Sequence, residues 1–283
     1  MMTYDHLVVD GDNMLYRAYF KFGQFNSKAG EPSGIIFGLP YMLRGLLTKV
    51  KPTLVSVAFD GGRDKARTDI LPGYKIREPK LNFDKEAFDS QKAIVMELLQ
   101  HMNCMVVWKK GTEADDHIYS LARRGTAGGA STCIVSADKD FHQLISDSVH
   151  VWYPSKEIML TPKNLHNYFP YKPEEALQYL CLTGDDSDKI PGVPGIGEKR
   201  ARQFMDGTYK YSNMKTLQET VKRNKKLIDL RHHWIFHNRG TKVPYLNEKP
   251  HFNMIEIAKV ARRFDCSTLT KVDFITGFKE LGQ

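Results

Sequence analysis

Cys133-Ile134-Val135-Ser136-Ala137-Asp138-Lys139-Asp140 holds the pattern on which the fold turns: a short apolar run that ends in carboxylates. The run repeats. Leu7 to Val9 leads into Asp10, Leu54 to Phe59 leads into Asp60, and Met105 to Trp108 and Val149 to Tyr153 are similar apolar stretches bounded by turn residues. Runs of this length rich in Val and Ile read as buried strands. Between them lie helical periodicities, at Ile35 to Lys49 and at Phe88 to Met102, where Phe88, Val95, Leu98, Leu99 and Met102 recur one turn apart. Strand and helix in alternation predict an α/β fold, a mostly parallel central sheet flanked by helices. The rhythm fades after about Pro162. The expected organisation is therefore an α/β core over 1–160, and a helical region over 161–283. A polar, basic excursion interrupts the core over about 61–84, carrying Pro72 and Pro79, and reads as a mobile loop.

In open α/β sheets ligands bind at the carboxyl ends of the strands, so Asp10, Asp60, Asp138 and Asp140 are expected to converge there. Glu113-Ala114-Asp115-Asp116 adds three acids at the start of a helix, and Asp185 and Asp188 lie in a turn after another. Taken singly, each suits a cap or a solvated charge. Gathered in one crevice, they would repel unless cations sat among them. Oxygen ligands without nearby Cys or His select Mg²⁺ or Mn²⁺ over zinc. Two such ions can activate water and stabilise a leaving oxygen, the chemistry of phosphodiester hydrolysis.

Gly192-Val193-Pro194-Gly195-Ile196-Gly197-Glu198-Lys199 is the most specific short signal. It predicts a tight turn, a close backbone approach and a helix whose free N–H groups face a phosphate, with Lys199 and Arg200 adding charge. Helices before and after make this a helix-hairpin-helix over about 174–205, which grips duplex backbone without reading sequence. In the basic excursion, Arg67, Tyr74, Lys75 and Arg77 interleave cations with an aromatic ring. That mixture suits a single-strand contact, with Tyr74 stacking on a base, and equally a solvated loop. Lys215, Lys222, Arg223, Lys225, Lys226 and Arg231 fall in a helical stretch, either a further duplex contact or a solvated face. His232, His233 and His237 lack the further ligands a metal site needs.

The composition agrees with a polyanionic partner. Forty-one Lys and Arg against 33 Asp and Glu give a formal charge of +8. Cys104, Cys133, Cys181 and Cys266 form no paired motif, which excludes a zinc ribbon or disulfide framework and suits a reducing compartment. No apolar run is long enough for a membrane span, and the first residues lack the build of a signal peptide. A cytoplasmic location, in a bacterial cell or phage-infected host, is expected.

Together these motifs resemble the 5′-nuclease family, which includes the N-terminal domain of bacterial DNA polymerase I and the free-standing flap endonucleases of bacteriophages. The resemblance runs from about Leu7 to Phe204, on Val9-Asp10-Gly11, Phe59-Asp60, Gly73-Tyr74-Lys75, Glu113 to Asp116, Ala137 to Asp140, Leu182 to Asp188 and the glycine hairpin through Ala201. It implies a PIN-like core with a basic helical arch, and a structure-specific 5′-3′ exonuclease or 5′-flap endonuclease. Asp10, Asp60, Glu113, Asp115, Asp116 and Asp138 would hold the first Mg²⁺ or its waters, and Asp140, Asp185 and Asp188 a second, looser one. Mn²⁺ would substitute, and K⁺ would suit the hairpin. Lys75 and Arg67 match basic arch residues beside the scissile phosphate, with Asp138 and Asp116 as catalytic carboxylates and Tyr74 as an arch stacking residue. Arg77 follows Lys75 more closely than the family's next arch arginine. Gly192, Gly195, Gly197, Lys199 and Arg200 would bind duplex. The implied partners are DNA with 5′ flaps, 5′ ends or branched junctions, and RNA primers, bound by a monomer. No polymerase segment follows, which suits a free-standing nuclease.

Two other readings fit part of the pattern. Val9-Asp10-Gly11-Asp12 also suits a haloacid-dehalogenase-type phosphatase, with an aspartyl nucleophile and an acid two residues on. A relative that grips branched DNA without cutting it is the second.

Overall fold

A computed structural model describes residues 3–76, 83–232 and 250–282. The apolar runs form β1 (His6–Asp10), β2 (Leu54–Ala58), β3 (Met105–Val107), β4 (Thr132–Val135) and β5 (Val149–Tyr153), joined by β6 (Ile158–Leu160). They make one sheet in the order β3-β2-β1-β4-β5-β6. Every pairing is parallel except β5 with β6. The chain steps outward in one direction from β1 and returns to β4 to step outward in the other. Such a reversal of strand order leaves a crevice at the carboxyl ends of the two central strands.

Successive side chains point to opposite faces, and each face has its own cover. Leu7, Val9, Val55, Val57, Cys133 and Val135 meet α1 (Gly11–Phe22), α2 (Gly34–Val50) and, beyond the short α3 (Lys65–Ile70), α4 (Lys85–His101). Val8, Ala58, Ile134 and Val151 face α5 (Ala114–Ala127), α6 (Pro173–Thr183), α7 (Glu198–Met205) and α8 (Met214–Ile228). Each aliphatic side chain buried in these layers contributes about 1.5–3 kcal/mol.

The C-terminal helices pack apart from the other helices of the 161–283 region. α9 (Met254–Arg263) and α10 (Val272–Lys279) bury Ile257, Ala261, Phe274 and Phe278 against the α2/α4 face, not in the helical region. Their apolar positions match the gap beside α4, where Asn103 N donates to His251 O and Met102 bridges Phe252. The expected 161–283 unit is thus split between the two faces of the sheet.

The described part of the basic excursion also departs from a mobile loop. Asp64 caps α3 by accepting from Arg67 N, and Tyr74 packs with Leu180, Ile190, Leu227 and Ile228 in a small third cluster. Apolar contact with α6 and α8 holds this segment over the strand ends.

Candidate active site at the strand ends

Helix capping brings the acids together. Asp10 ends β1 and accepts from Asn13 N, capping α1, while its other oxygen accepts from Ser136 Oγ at 2.7 Å. Asp60, beyond β2, accepts from Ala114 N at 2.8 Å and so caps α5, leaving Glu113 free to turn towards the crevice. Asp138 caps the 3₁₀ turn Lys139–Leu144 by accepting from Asp140 N at 2.8 Å. Asp185 accepts from Ser187 N and Oγ in the loop between β7 (Gly184–Asp185) and β8 (Ile190–Pro191), which aims Asp188 inward. A carboxylate at a helix start satisfies orphan N–H groups and sits in the favourable end of the helix dipole. The preference that stops each strand therefore also lines the crevice with acid.

The crevice holds two kinds of carboxylate. Glu113 and Asp116 lie within buried ion pairs: Arg67 donates both terminal nitrogens to the two Asp116 oxygens at 2.9 Å and lies 3.3 Å from Glu113. Lys75 Nζ is 2.8 Å from Glu113, 3.1 Å from Asp115 and 3.6 Å from Asp188. Burial alone would raise Glu113, but Lys75 and Arg67 override it and bring the carboxyl down to about 2. Burial also opposes the charges of Arg67 and Lys75, and the surrounding acids outweigh it and keep both protonated.

The other acids shift the opposite way. Burial, then Asp115 and Asp188, raises Asp138 to about 7, while burial and the field of Asp115 raise Asp188 to about 6 against the pull of Lys75. Asp60 reaches about 6 through removal from bulk water and the neighbouring Asp12. Asp10 and Asp140 are pushed well above the carboxylate range, first by burial and then by Asp115 and Asp138 respectively. Asp115 acts on all five, so acids from β1, β2, α5, the 3₁₀ turn and the β7–β8 loop share one field.

The residues fit divalent cations in chemistry. Donors are carboxylate oxygens, and Asp140 Oδ1 is buried without a hydrogen-bond partner. Among the described residues no three acid, His or Cys side chains are already gathered closely enough to hold a metal ion, and the Lys75 ammonium sits among Glu113, Asp115 and Asp188.

Several expected site residues have close partners within the protein. Asp116 has both oxygens on Arg67 and is 1% exposed. Arg67, expected beside a phosphate, is 1% exposed and donates Nε to Leu227 O at 3.1 Å. Tyr74, expected to stack on a base, is buried and donates its hydroxyl to Glu113 at 2.8 Å, because the apolar third cluster takes its ring. Arg77, His233 and His237 lie outside the described residues. Asp12, the acid the phosphatase reading requires, accepts from Asp60 N at 2.6 Å and pairs with Lys92 at 2.6 Å. Ser136, Lys92 and Gln143 were missed as supports of the acids. Ser136 was visible between strand and Asp138, whereas Lys92 and Gln143 acquire their partners only in three dimensions.

The glycine hairpin forms the basic flank. A Cβ at Gly192 would lie 2.3 Å from Thr183 O, and Gly195 adopts φ +74°. Gly197 precedes α7 in open space. Val193, Ile196 and Ala201 are buried, which fixes the turn from beneath. Arg200 donates to Gly195 O at 2.8 Å, while Lys199 is exposed and has no ionic partner among the described residues. Lys215, Lys222, Lys225, Lys226 and Arg231 are exposed along and just beyond α8; Arg223 instead donates to Pro191 O.

Residues 5–170 match the family model described as 5′-3′ exonuclease, N-terminal resolvase-like domain, and residues 171–239 that of the 5′-3′ exonuclease C-terminal SAM fold. A 5′-3′ exonuclease of Buchnera aphidicola is 34% identical over 218 residues, 77% of this chain and 74% of that protein. The thermostable DNA polymerase I of Thermus aquaticus is 35% identical over 201 residues, 71% of this chain but only 23% of the polymerase. In fold, the chain resembles a zinc-bound T5 5′-exonuclease, with TM-score 0.66 and 18% identity over 98% of this chain and 99% of that one. Flap endonuclease-1 of Methanococcus jannaschii gives TM-score 0.59 and 16% identity over 99% and 93%. No helix among the described residues is long and apolar enough to cross a membrane. An acid-lined crevice at the β1/β4 reversal, a basic hairpin beside it and two consecutive family matches lead to one assignment: the chain belongs to the 5′-3′ exonuclease family of nucleases.

Proposed function

We propose that this chain is a structure-specific 5′-3′ exonuclease and 5′-flap endonuclease that hydrolyses DNA phosphodiester bonds with two or more Mg²⁺ ions, Mn²⁺ substituting. The observation that carries the reading is the group of raised carboxyls, Asp10, Asp60, Asp138, Asp140 and Asp188, whose mutual repulsion divalent cations would relieve. Asp10, Asp60, Glu113, Asp115 and Asp138 would hold one ion or its waters, and Asp140, Asp185 and Asp188 the other. Asp116 supports them from behind, through Arg67. When bound, the ions supply an activated water and a stabilised leaving oxygen. Lys75, already central among the acids, would turn its ammonium to the scissile phosphate as cations take its place. The hairpin, Lys199 and Arg200 would hold the duplex backbone, with K⁺ as a candidate ion at the turn. Unpairing of the terminal nucleotides would bring the bond to the acids at an unstacking cost. RNA primers are further candidate substrates, and the protein would act as a monomer in the cytoplasm.

The test is a 5′-flap duplex labelled at its 5′ end, incubated with saturating protein in Mg²⁺ or in EDTA. Short labelled products that require Mg²⁺ are expected. Full binding without cleavage in Mg²⁺ would instead establish a branched-DNA binder.

A further inference from the structure

The last turn of α8 is tied to both groups of acids, by two side chains that the chemistry above does not use directly. Arg67 donates Nε to Leu227 O, with its terminal nitrogens on Asp116. Gln143 makes the second tie. Its amide nitrogen, Nε2, donates to Ile228 O at 3.0 Å and to Asp140 O at 2.8 Å, and its Oε1 accepts from Leu230 N at 3.2 Å. The Leu227 and Ile228 carbonyls belong to a helix end, where four acceptors lack partners within the helix. A side-chain amide offers two donors and an acceptor at one terminus, and this site uses both kinds. A carboxylate would face two carbonyls with no proton, and an aliphatic chain would leave them unpaired.

The place of the tie matters. Gln143 lies in the same 3₁₀ turn as Asp140, and Asp138 caps that turn. Asp140 N donates to Asp138 Oδ1 and Asp140 O accepts from Gln143, so both carboxylates ride on the turn that Gln143 holds. Phe141 and His142 hold it from beneath: Phe141 is fully buried, and His142 Nδ1 lies 2.9 Å from the Tyr171 hydroxyl. Gln143 is the link that fixes the turn laterally to α8, the helix with exposed Lys215, Lys222, Lys225 and Lys226.

We infer that Gln143 is a positioning residue, which sets the distance between the Asp138–Asp140 turn and α8 so that these carboxylates hold a divalent cation while α8 holds duplex. The inference rests on the nuclease reading for its cleavage consequence, but not for its metal consequence. The test compares the parent with Gln143→Met, which keeps the length and removes all three hydrogen bonds. Mn²⁺ affinity is measured by calorimetry without DNA, duplex affinity in EDTA, and kcat and KM on the 5′-flap substrate. Mn²⁺ affinity should fall about tenfold, the range seen when groups that orient metal ligands are lost. kcat should fall by a similar factor with KM and duplex affinity within about twofold. A general loosening of the fold would weaken duplex binding as well, so that split separates positioning from structure. If Gln143→Met does not fold, Gln143→Asn keeps the amide but is too short to span both carbonyls, and is read in the same assays. Mn²⁺ affinity within twofold of the parent in the folded variant overturns the inference. A parent that binds Mn²⁺ but leaves flaps uncut overturns the nuclease reading and leaves the Mn²⁺ comparison to decide the role of Gln143.

Discussion

Glu113 and Asp138 line the same crevice and meet opposite fates. Glu113 is 1% exposed, yet its carboxyl lies at about 2, because Arg67, Lys75 and the Tyr74 hydroxyl all reach it. Asp138 sits at about 7, because burial and then the like charges of Asp115 and Asp188 raise it, and Lys75 only partly offsets them. Burial pushes both carboxyls up, and the sign of the neighbouring charges decides where each ends. One side of the crevice carries its own cations in the fold; on the proposed reading the other side would take cations from solution.

The sharpest way to break this comparison is to neutralise one acid on the cation-dependent side. Asp138→Asn keeps the shape and the cap but removes the charge that the proposed divalent ions would need. Cleavage of a 5′ flap should fall by about a thousandfold, several kcal/mol of transition-state stabilisation, while duplex affinity stays within about threefold. A parallel loss of binding would show that Asp138 supports the fold rather than the chemistry. On the side with built-in cations the effect should appear as stability. Arg67→Met removes both guanidinium hydrogen bonds from the buried Asp116 carboxylate, and removal of one partner from such a pair costs about 3–5 kcal/mol. Urea unfolding measures it, and a loss below about 1 kcal/mol would mean that Asp116 finds water or another donor.

The two sides also oppose each other in pH. Asp138 is raised in the folded state, so its destabilising effect is absent below about pH 4, grows as pH rises and is complete above about 7. Glu113 is depressed, so its contribution is present above about 4.3 and is lost as pH falls towards 2. The metal-free protein should therefore be more stable near pH 5 than at pH 8. Divalent cations compete with protons for Asp138, Asp188 and Asp60, so saturating Mg²⁺ should raise Tm more at pH 8 than at pH 5. At a hundred times Kd the gain is about 2.7 kcal/mol. Equal gains at the two pH values would place the bound ions elsewhere.

The contrast within the crevice was only half legible in the sequence. Strand ends and helix caps are local, so Asp10, Asp60, Asp138 and the Glu113 to Asp116 run could be read from apolar runs that stop at acids, and the parallel order followed from alternation. The cations' partners are not local. Arg67 is 49 residues from Asp116, and its burial depends on Leu227 and Tyr74 meeting over the strand ends. A basic stretch with prolines looks solvated until its partners are known, and the same limit made Tyr74 read as a stacking ring. The layer covered by the C-terminal helices was not legible for a related reason: amphipathic periodicity gives the face of a helix but not the layer that covers it.

The smallest expected effect extends the comparison to the hairpin, where cations face solvent in place of acids. Lys199 is exposed and unpaired among the described residues, whereas Arg202 is committed to Glu175 and Asp206 and Arg200 to Gly195 O. Of these three, Lys199 and Arg200 keep a whole charge to offer a phosphate, and Lys199 alone makes no hydrogen bond to the hairpin, whereas the Arg202 charge is met by two carboxylates. Lys199→Ala should weaken duplex binding only a few-fold at low salt, and lower the slope of log K against log salt by about 0.9, the value for one phosphate contact. Arg202→Ala should leave that slope unchanged, since its charge is already spent within the protein. An altered slope for Arg202→Ala, or an unaltered one for Lys199→Ala, would mean that the hairpin rearranges on duplex and that its ion pairs, unlike the buried one at Arg67, open to the partner.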